Sequence, residues 1–214
     1  MSNATPPDTL ADGLHALGDV PPDRVLWNPR PGTATEADVL RCRRGTELVD
    51  GCLILKTVGE AKTKLRLGIG QALFHFIRRD RLGYHTPPAG LHRINSEVVR
   101  RPDAAFTRWP RVLDGAGTIP VVVTASPDLV IDILTATNPP AEQARKFREY
   151  FSAGTAVIWE IDPDTNTVTV HRPESQRVLT TADTLDGGAV LPDFALPLAD
   201  LFNEPQLNLR PSQP

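Results

Sequence analysis

The run Leu129-Val130-Ile131-Asp132-Ile133-Leu134 is short, β-branched and apolar apart from one carboxylate in its middle. Such a run reads as a strand buried on both faces, in a sheet covered by helices. Side chains alternate along a strand, so Leu129, Ile131 and Ile133 take one face and Val130, Asp132 and Leu134 the other. An ionised aspartate in that setting is costly unless hydrogen bonds, a cation or a metal compensate it. What compensates Asp132 is therefore the question on which function turns.

The chain has 214 residues, 40% apolar and 23% charged, which is the profile of one soluble globular domain with a sizeable core. A net charge of −3 argues against a large electrostatic footprint for nucleic acid while leaving a local one open. No apolar stretch approaches the roughly 20 residues that cross a bilayer. The N-terminal segment lacks the basic-then-apolar pattern of a signal peptide. Cys42 and Cys52 have neither a CxxC nor a Cys/His metal spacing. The expectation is a cytoplasmic protein with reduced thiols and no membrane partner.

Residues 1–34, with Pro6-Pro7, Pro21-Pro22, Pro29 and Pro31, read as a loosely ordered arm, and residues 205–214 as a tail. Between them, 35–204 read as a single domain. Thr35 to Arg43 suggests a short helix. Asp50-Gly51 between Glu47-Leu48-Val49 and Cys52-Leu53-Ile54-Leu55 is a two-residue hairpin signal. Gly59 to Arg81 carries Leu65, Ile69, Leu73 and Phe76-Ile77 at helical spacing. Strands are expected near Ile94–Val99, Ala104–Thr107 and Asp128–Leu134, with a Gly- and Pro-rich loop before the last. Pro139-Pro140 opens a helix that runs to about Ala153, with Gly154 as its cap. Thr155–Ile161, Thr167–Arg172 and a weaker Arg177–Thr180 complete the strands. The order implies an α/β (α+β) domain: a mixed β-sheet flanked by helices.

Three residues group on chemical grounds. Asp103 opens a strand after Arg101-Pro102, Asp132 lies mid-strand, and Lys146 lies on the helix that follows. On that helix Ala144, Phe147 and Phe151 are expected to face inward, flanked by Lys146 and Tyr150 at i and i+4. Two carboxylates and a lysine are what metal-dependent phosphodiester hydrolysis requires. Asp103 and Asp132, with the main-chain carbonyl of Ile133, would hold Mg²⁺ or Mn²⁺. The ion would polarise the phosphoryl group and activate water, and the lysine would stabilise developing charge. Glu47 and Tyr150 are accessory candidates. An arginine such as Arg100 or Arg145 is the alternative partner for Asp132.

The string PDLVIDILTATNPPAEQARKFREYFSAGTAVIWEIDPDTNTVTVHRP resembles the Uma2 family, a branch of the PD-(D/E)XK nuclease superfamily. The resemblance extends upstream to Glu47-Leu48-Val49-Asp50-Gly51 and Val99-Arg100-Arg101-Pro102-Asp103, and downstream to Leu191-Pro192-Asp193-Phe194 and Leu201-Phe202. It implies a restriction-endonuclease-like fold over 35–204. It also implies that Asp103, Asp132 and Lys146 are the catalytic set, with lysine on the helix and Leu134 where the usual strand lysine would stand. Asp132 replaces the family's usual Glu, Thr135 its usual Ser, and Asp193 a usual Gly. Where the family often has His before its long helix, this chain offers Glu60, Ala61 and Lys62.

The leading expectation is therefore a Mg²⁺-dependent endonuclease acting on DNA as a homodimer, since two strands call for two sites related by a twofold axis. The alternative is a catalytically degenerate copy of the fold that serves as a non-enzymatic binding module. His15, His75, His85, His92 and His171 are scattered without metal spacing, which disfavours zinc. The basic cluster Arg78-Arg79 and Arg81 reads as a solvated helix C-terminus before it reads as a phosphate contact.

Overall fold

The turn at Asp50-Gly51 forms because both residues adopt positive φ, 47° and 72°, the geometry of a tight hairpin. Glycine is required at 51 twice over, since a Cβ there would lie 2.6 Å from the main chain of Gly32. The computed structural model describes residues 9–42, 45–57, 59–88, 90–114 and 116–203. In chain order these form α1 (Leu10–Ala16), β1 (Val25–Leu26), α2 (Glu36–Arg41), β2 (Thr46–Val49), β3 (Cys52–Leu55), α3 (Glu60–Arg79), β4 (Gly83–Thr86) and β5 (Leu91–Arg93). There follow β6 (Val98–Arg100), β7 (Ala104–Arg108), α4 (Trp109–Val112), β8 (Val122–Val123), β9 (Leu129–Ile133) and α5 (Pro140–Ser152). The last elements are β10 (Val157–Asp162), β11 (Thr167–Arg172), β12 (Ser175–Leu179), β13 (Thr184–Asp186), β14 (Ala195–Pro197) and α6 (Leu198–Phe202).

The fold is mixed α/β, with the strands divided between two six-stranded sheets and a small hairpin of β13 and β14 rather than gathered into one sheet. The first sheet runs β1-β3-β2-β6-β5-β8 and the second β12-β11-β10-β9-β7-β4. In the second sheet β9 and β10 are the parallel pair, joined by α5 as a strand–helix–strand unit. Ile131, Ile133, Trp159 and Ile161 share one face with Leu65, Ile69, Leu73 and Ile77 of α3 and with Phe194 and Leu198. On the other face Val130 and Ile158 pack against Phe147 and Tyr150 of α5. β9 is thus covered on both sides, as its apolar run requires.

Three expectations are corrected. The proline-rich arm is not loose from Thr9 onward: Leu17, Val20 and Val25 bury against Val49, Cys52 and Ile54, and β1 pairs with β3. Proline count alone does not predict disorder when apolar residues between the prolines find a hairpin to cover. Residues 1–8 and 204–214 lie outside the described residues. The inward face of α5 is also rotated from the expected one. Gln143, Lys146, Phe147 and Tyr150 are buried while Ala144 is exposed. Short strands β4, β5 and β8 had no distinct sequence signal, and Ile94 lies in the turn before β6 rather than in a strand. Cys42 and Cys52 form no disulfide.

Candidate active site

The chain passes from the first sheet to the second through Arg101-Pro102-Asp103, between β6 and β7, and the candidate site lies at that seam. The antiparallel register of β7 and β9 sets Ala104 opposite Ile131 and Ala105 opposite Val130. Just before β7 the pairing slips by one residue, with the Asp103 N–H donating to the Ile131 carbonyl at 3.0 Å, and the Asp103 side chain lies beside Asp132 at this end of the ladder. Two carboxylates close enough to contact one ammonium group repel each other when both are ionised. Both carboxylates are buried, at 1% and 2% exposure.

The chain answers this repulsion with ammonium groups. Asp103 Oδ2 accepts the Ile133 main-chain N–H at 2.8 Å and Lys62 Nζ at 2.8 Å. Asp132 Oδ2 accepts Gln143 Nε2 and Lys146 Nζ, each at 2.9 Å. The two remaining oxygens converge on one group, with Lys56 Nζ 3.0 Å from Asp103 Oδ1 and 3.6 Å from Asp132 Oδ1. Lys56 also donates to the Arg101 carbonyl at 2.6 Å.

Local structure explains each placement. Lys146 follows Gln143 and precedes Tyr150 on the buried stripe of α5, which Pro139-Pro140 starts and Gly154, at φ 93°, closes. Lys62 continues the α3 stripe of Leu65, Ile69, Leu73 and Ile77 one turn toward its N-terminus. A cation is disfavoured in a first helical turn, so Lys62 is held there by Asp103 and by the Ile133 carbonyl, 2.6 Å away. Lys56 directly follows β3, at the entry to α3.

Behind these groups stands a second network. Arg100, fully buried, donates to Glu47 Oε2 at 2.8 Å and to Glu149 Oε2 at 2.6 Å, while Glu47 Oε1 accepts the Arg101 N–H at 2.9 Å. Arg145 donates to Glu149 and Asp50. Neither arginine is the partner of Asp132. Glu47 thus faces inward rather than into solvent. Burial alone would raise its carboxyl, but Lys146, Arg100 and Lys56 outweigh that and hold it at about 2. Burial likewise opposes ionisation of Asp132, and Lys146, Lys56 and Lys62 overcome it, so Asp132 titrates well below the usual carboxylate range. Lys146 is raised above the ordinary lysine value because Asp132 and Glu47 outweigh its desolvation. Lys62 is lowered, first by burial and then by Lys56. Tyr150 stays a phenol, raised by burial and by the neighbouring Glu47 and Asp132 charges. Its hydroxyl and the Gln143 Oε1 are buried without a hydrogen-bond partner among the described residues.

Two carboxylates beside an orphaned amide oxygen are donors of the kind Mg²⁺ or Mn²⁺ takes. Among the described residues no cluster of three or more His, Cys, Asp or Glu side chains is placed to hold a metal. Two carboxylates, the Gln143 amide oxygen and main-chain oxygens are therefore the protein ligands a divalent ion would find here, and their chemistry fits such an ion. The Ile133 carbonyl expected as a ligand is engaged by Lys62; the carbonyl that shares a cation with both aspartates is that of Arg101.

Sequence reasoning brought together Asp103, Asp132, Lys146, Glu47 and Tyr150 and missed the roles of Lys56, Gln143 and, largely, Lys62. A lysine one turn before an apolar helical stripe is a readable signal for Lys62; Lys56, at a strand end, offers none. Arg78 and Arg79 stand a helix length from Lys62, about 24 Å, so that basic cluster is not part of this site. Two surface clefts, of about 510 and 400 Å³, contain no residue of the triad; charged and polar side chains such as Arg145, Arg148 and Glu149 line the first, and Arg172, Arg177 and Asp186 the second.

The fold has a counterpart of known structure. A protein titled a "putative nuclease belonging to DUF820", from Anabaena variabilis ATCC 29413, shares the fold with a TM-score of 0.69 at 20% identity, over 78% of this chain and 97% of that chain. The Uma2 family model, described as "Putative restriction endonuclease", matches residues 43–199. The chain belongs to the Uma2 family. No curated protein matches it. No helix among the described residues is long and apolar enough to cross a membrane.

Proposed function

We propose that the protein is a divalent-metal-dependent endonuclease of the PD-(D/E)XK type that hydrolyses DNA phosphodiester bonds, with Asp103, Asp132 and Lys146 as its catalytic set. One observation carries this reading: two buried carboxylates, side by side where the chain enters β7 next to β9, turn one oxygen each toward a single cation, while Lys146 sits 2.9 Å from the other oxygen of Asp132.

Asp103 and Asp132 would hold Mg²⁺ or Mn²⁺, which when bound supplies polarisation of the phosphoryl oxygen and a water of lowered pKa. Asp103 is fixed for this by the Ile133 N–H, so its carboxylate is presented without reorganisation. Lys146, kept as an ammonium by Asp132 and Glu47, supplies positive charge where negative charge builds on the scissile phosphate. Glu47 is the accessory acid that keeps Lys146 charged, and Arg100 holds Glu47 in place. Cutting both strands of a duplex calls for two such sites, and the reading includes a homodimer in the cytoplasm.

The test is incubation of plasmid DNA with the full chain and Mg²⁺ or Mn²⁺, with Asp132→Asn and Lys146→Met as controls. Metal-dependent nicking or linearisation that both controls lose is the expected result; cleavage equal in all three overturns the assignment. A twofold mass by light scattering is expected at micromolar concentration, and a monomer mass removes the dimer. The second reading, a module that binds without cutting, is favoured by the engagement of every described carboxylate oxygen of the pair by lysine. DNA retention without cleavage under all metal conditions would establish it instead.

A further inference from the structure

The three lysines of the site are not equivalent. Lys62 and Lys146 are fixed on helices at 4% and 5% side-chain exposure, whereas Lys56 lies outside any helix or strand at 11%. Lys62 and Lys146 take the outer oxygens, Oδ2, of one aspartate each. Lys56 alone takes the inner oxygens of both, and adds the Arg101 carbonyl. An ammonium held by a main-chain carbonyl and two carboxylates occupies a site made of three oxygen donors, which is the donor set a hard divalent cation prefers. Two cations cannot share those oxygens. The contact to Asp132 Oδ1, at 3.6 Å, is beyond good hydrogen-bond length, so Lys56 holds the third of these oxygens loosely.

We propose that Lys56 is a tethered cation that competes with the divalent ion for the oxygens of Arg101, Asp103 and Asp132, so that the ion enters as the ammonium leaves. This rests on the metal-dependent reading given above. It makes Lys56 a positioning residue: without metal it offsets the repulsion between the neighbouring aspartates, and with metal it is released toward Thr57, Thr135 and Asn138. Those residues are half-buried and bonded to one another, Thr57 to Asn138 at 3.3 Å and Thr135 to Asn138 at 2.9 Å.

The test is titration of the full chain with Mn²⁺, read as loss of the free-ion magnetic resonance signal and as a shift in Tm. Lys56→Met should bind Mn²⁺ about tenfold more tightly than the unaltered protein. It should melt lower without metal and gain more on adding it. Asp132→Asn introduced into Lys56→Met should abolish that gain. Lys56→Gln, which keeps a donor for the Arg101 carbonyl, gives the same comparison should Lys56→Met fail to fold. Equal or weaker Mn²⁺ binding by the Lys56 variants, with binding still lost in Asp132→Asn, overturns the competition and leaves the metal-dependent reading standing. No Mn²⁺ binding by any form overturns both.

Discussion

Two kinds of buried charge cluster stand side by side in this molecule. In one, arginines meet carboxylates: Arg24 places Nη1 and Nη2 on the two oxygens of Glu142 at 2.7 and 2.8 Å, fork to fork, and Arg100 bridges Glu47 and Glu149. In the other, three lysines surround Asp103 and Asp132. The Arg24 pair balances in charge and matches in shape, Arg100 serves two carboxylates at once, and each arginine ties together elements far apart in sequence: the N-terminal arm to α5, and the first sheet to α5. A planar guanidinium in such a fork has a defined geometry and little freedom. The lysine cluster carries one positive charge in excess, uses point charges with no preferred orientation, and leaves orphaned oxygens at its edge. The first arrangement fixes a framework; the second is the one to which the proposed function assigns a metal and the anion of a substrate.

The difference predicts opposite responses to losing a cation. Lys146→Met should lower cleavage by at least about a thousandfold, the scale of removing one preorganised charge from a transition state. It should shift stability by only about 1 kcal/mol, because its loss brings the cluster to charge balance and the methionine fills the buried volume. Lys146→Arg should not rescue, since a fork does not fit where a compact ammonium sits. Cleavage rates and Tm measured on the same preparations check this; a variant that cuts normally breaks the comparison at its functional end.

In the arginine framework the order is reversed. Glu142→Ala strands a buried guanidinium and should cost about 3–5 kcal/mol of stability. The paired replacement of Arg24→Met with Glu142→Leu should recover most of that loss, because an apolar pair is often as stable as a buried ion pair. Denaturant midpoints decide it, and cleavage by the folded fraction should be unchanged in both.

The contrast between the clusters also marks what the sequence makes legible. The strands around Asp132, the Asp50-Gly51 hairpin, α3 and α5 follow from local chemistry, namely apolar runs, a turn dipeptide, a 3.6-residue stripe and helix-start prolines. Asp103 and Asp132 stand out because an acid at a strand start and an acid in an apolar strand both call for compensation. The compensating lysines are another matter. Lys62 continues a stripe and can be read; Lys56 is brought to the site by the pairing of the first sheet, which no local pattern encodes. The arm failed for the same reason: the fork from Arg24 to Glu142 spans 118 residues. The two-residue strands β1 and β8 are too short to carry a period.

A third prediction sets the framework against pH. His92 is fully buried, with one ring nitrogen 2.9 Å from the Ala125 carbonyl and the other 2.8 Å from the Thr86 hydroxyl. The carbonyl can only accept, so Nδ1 carries the proton and Nε2 accepts from Thr86. Burial lowers this histidine to about 4 from 6.5, although the Ala125 bond opposes the shift. The folded state therefore resists a proton that the unfolded chain takes up, and stability falls with acidification through the window from about 6.5 down to about 4. The full loss is on the order of 3 kcal/mol. Below that window Glu47 continues the decline, since its folded carboxyl, at about 2, gains protons only after the unfolded one near 4.5. Urea midpoints from pH 7 to 4 should show the slope, and His92→Gln should flatten its upper part.

The smallest expected effect tests where the boundary between the two clusters runs. Tyr150 lies one turn beyond Lys146 on the same buried stripe, so its ring belongs to the framework through Val130, Phe147 and Ile158. Its hydroxyl does not, because it is buried near the charges of Glu47 and Asp132 without a hydrogen-bond partner among the described residues. A buried hydroxyl without a hydrogen bond is a net cost to folding. Tyr150→Phe keeps the ring and removes that cost, so stability should hold or rise by up to about 1 kcal/mol. If the hydroxyl belongs to the site, it gains a partner only when metal or phosphate is present, and its removal should slow cleavage about tenfold, the worth of one hydrogen bond to a charged group. A Tm that holds or rises together with slower cleavage places the boundary at the phenolic oxygen. A fall in Tm with unchanged cleavage places Tyr150 wholly in the framework and confines the reacting groups to the aspartates and lysines.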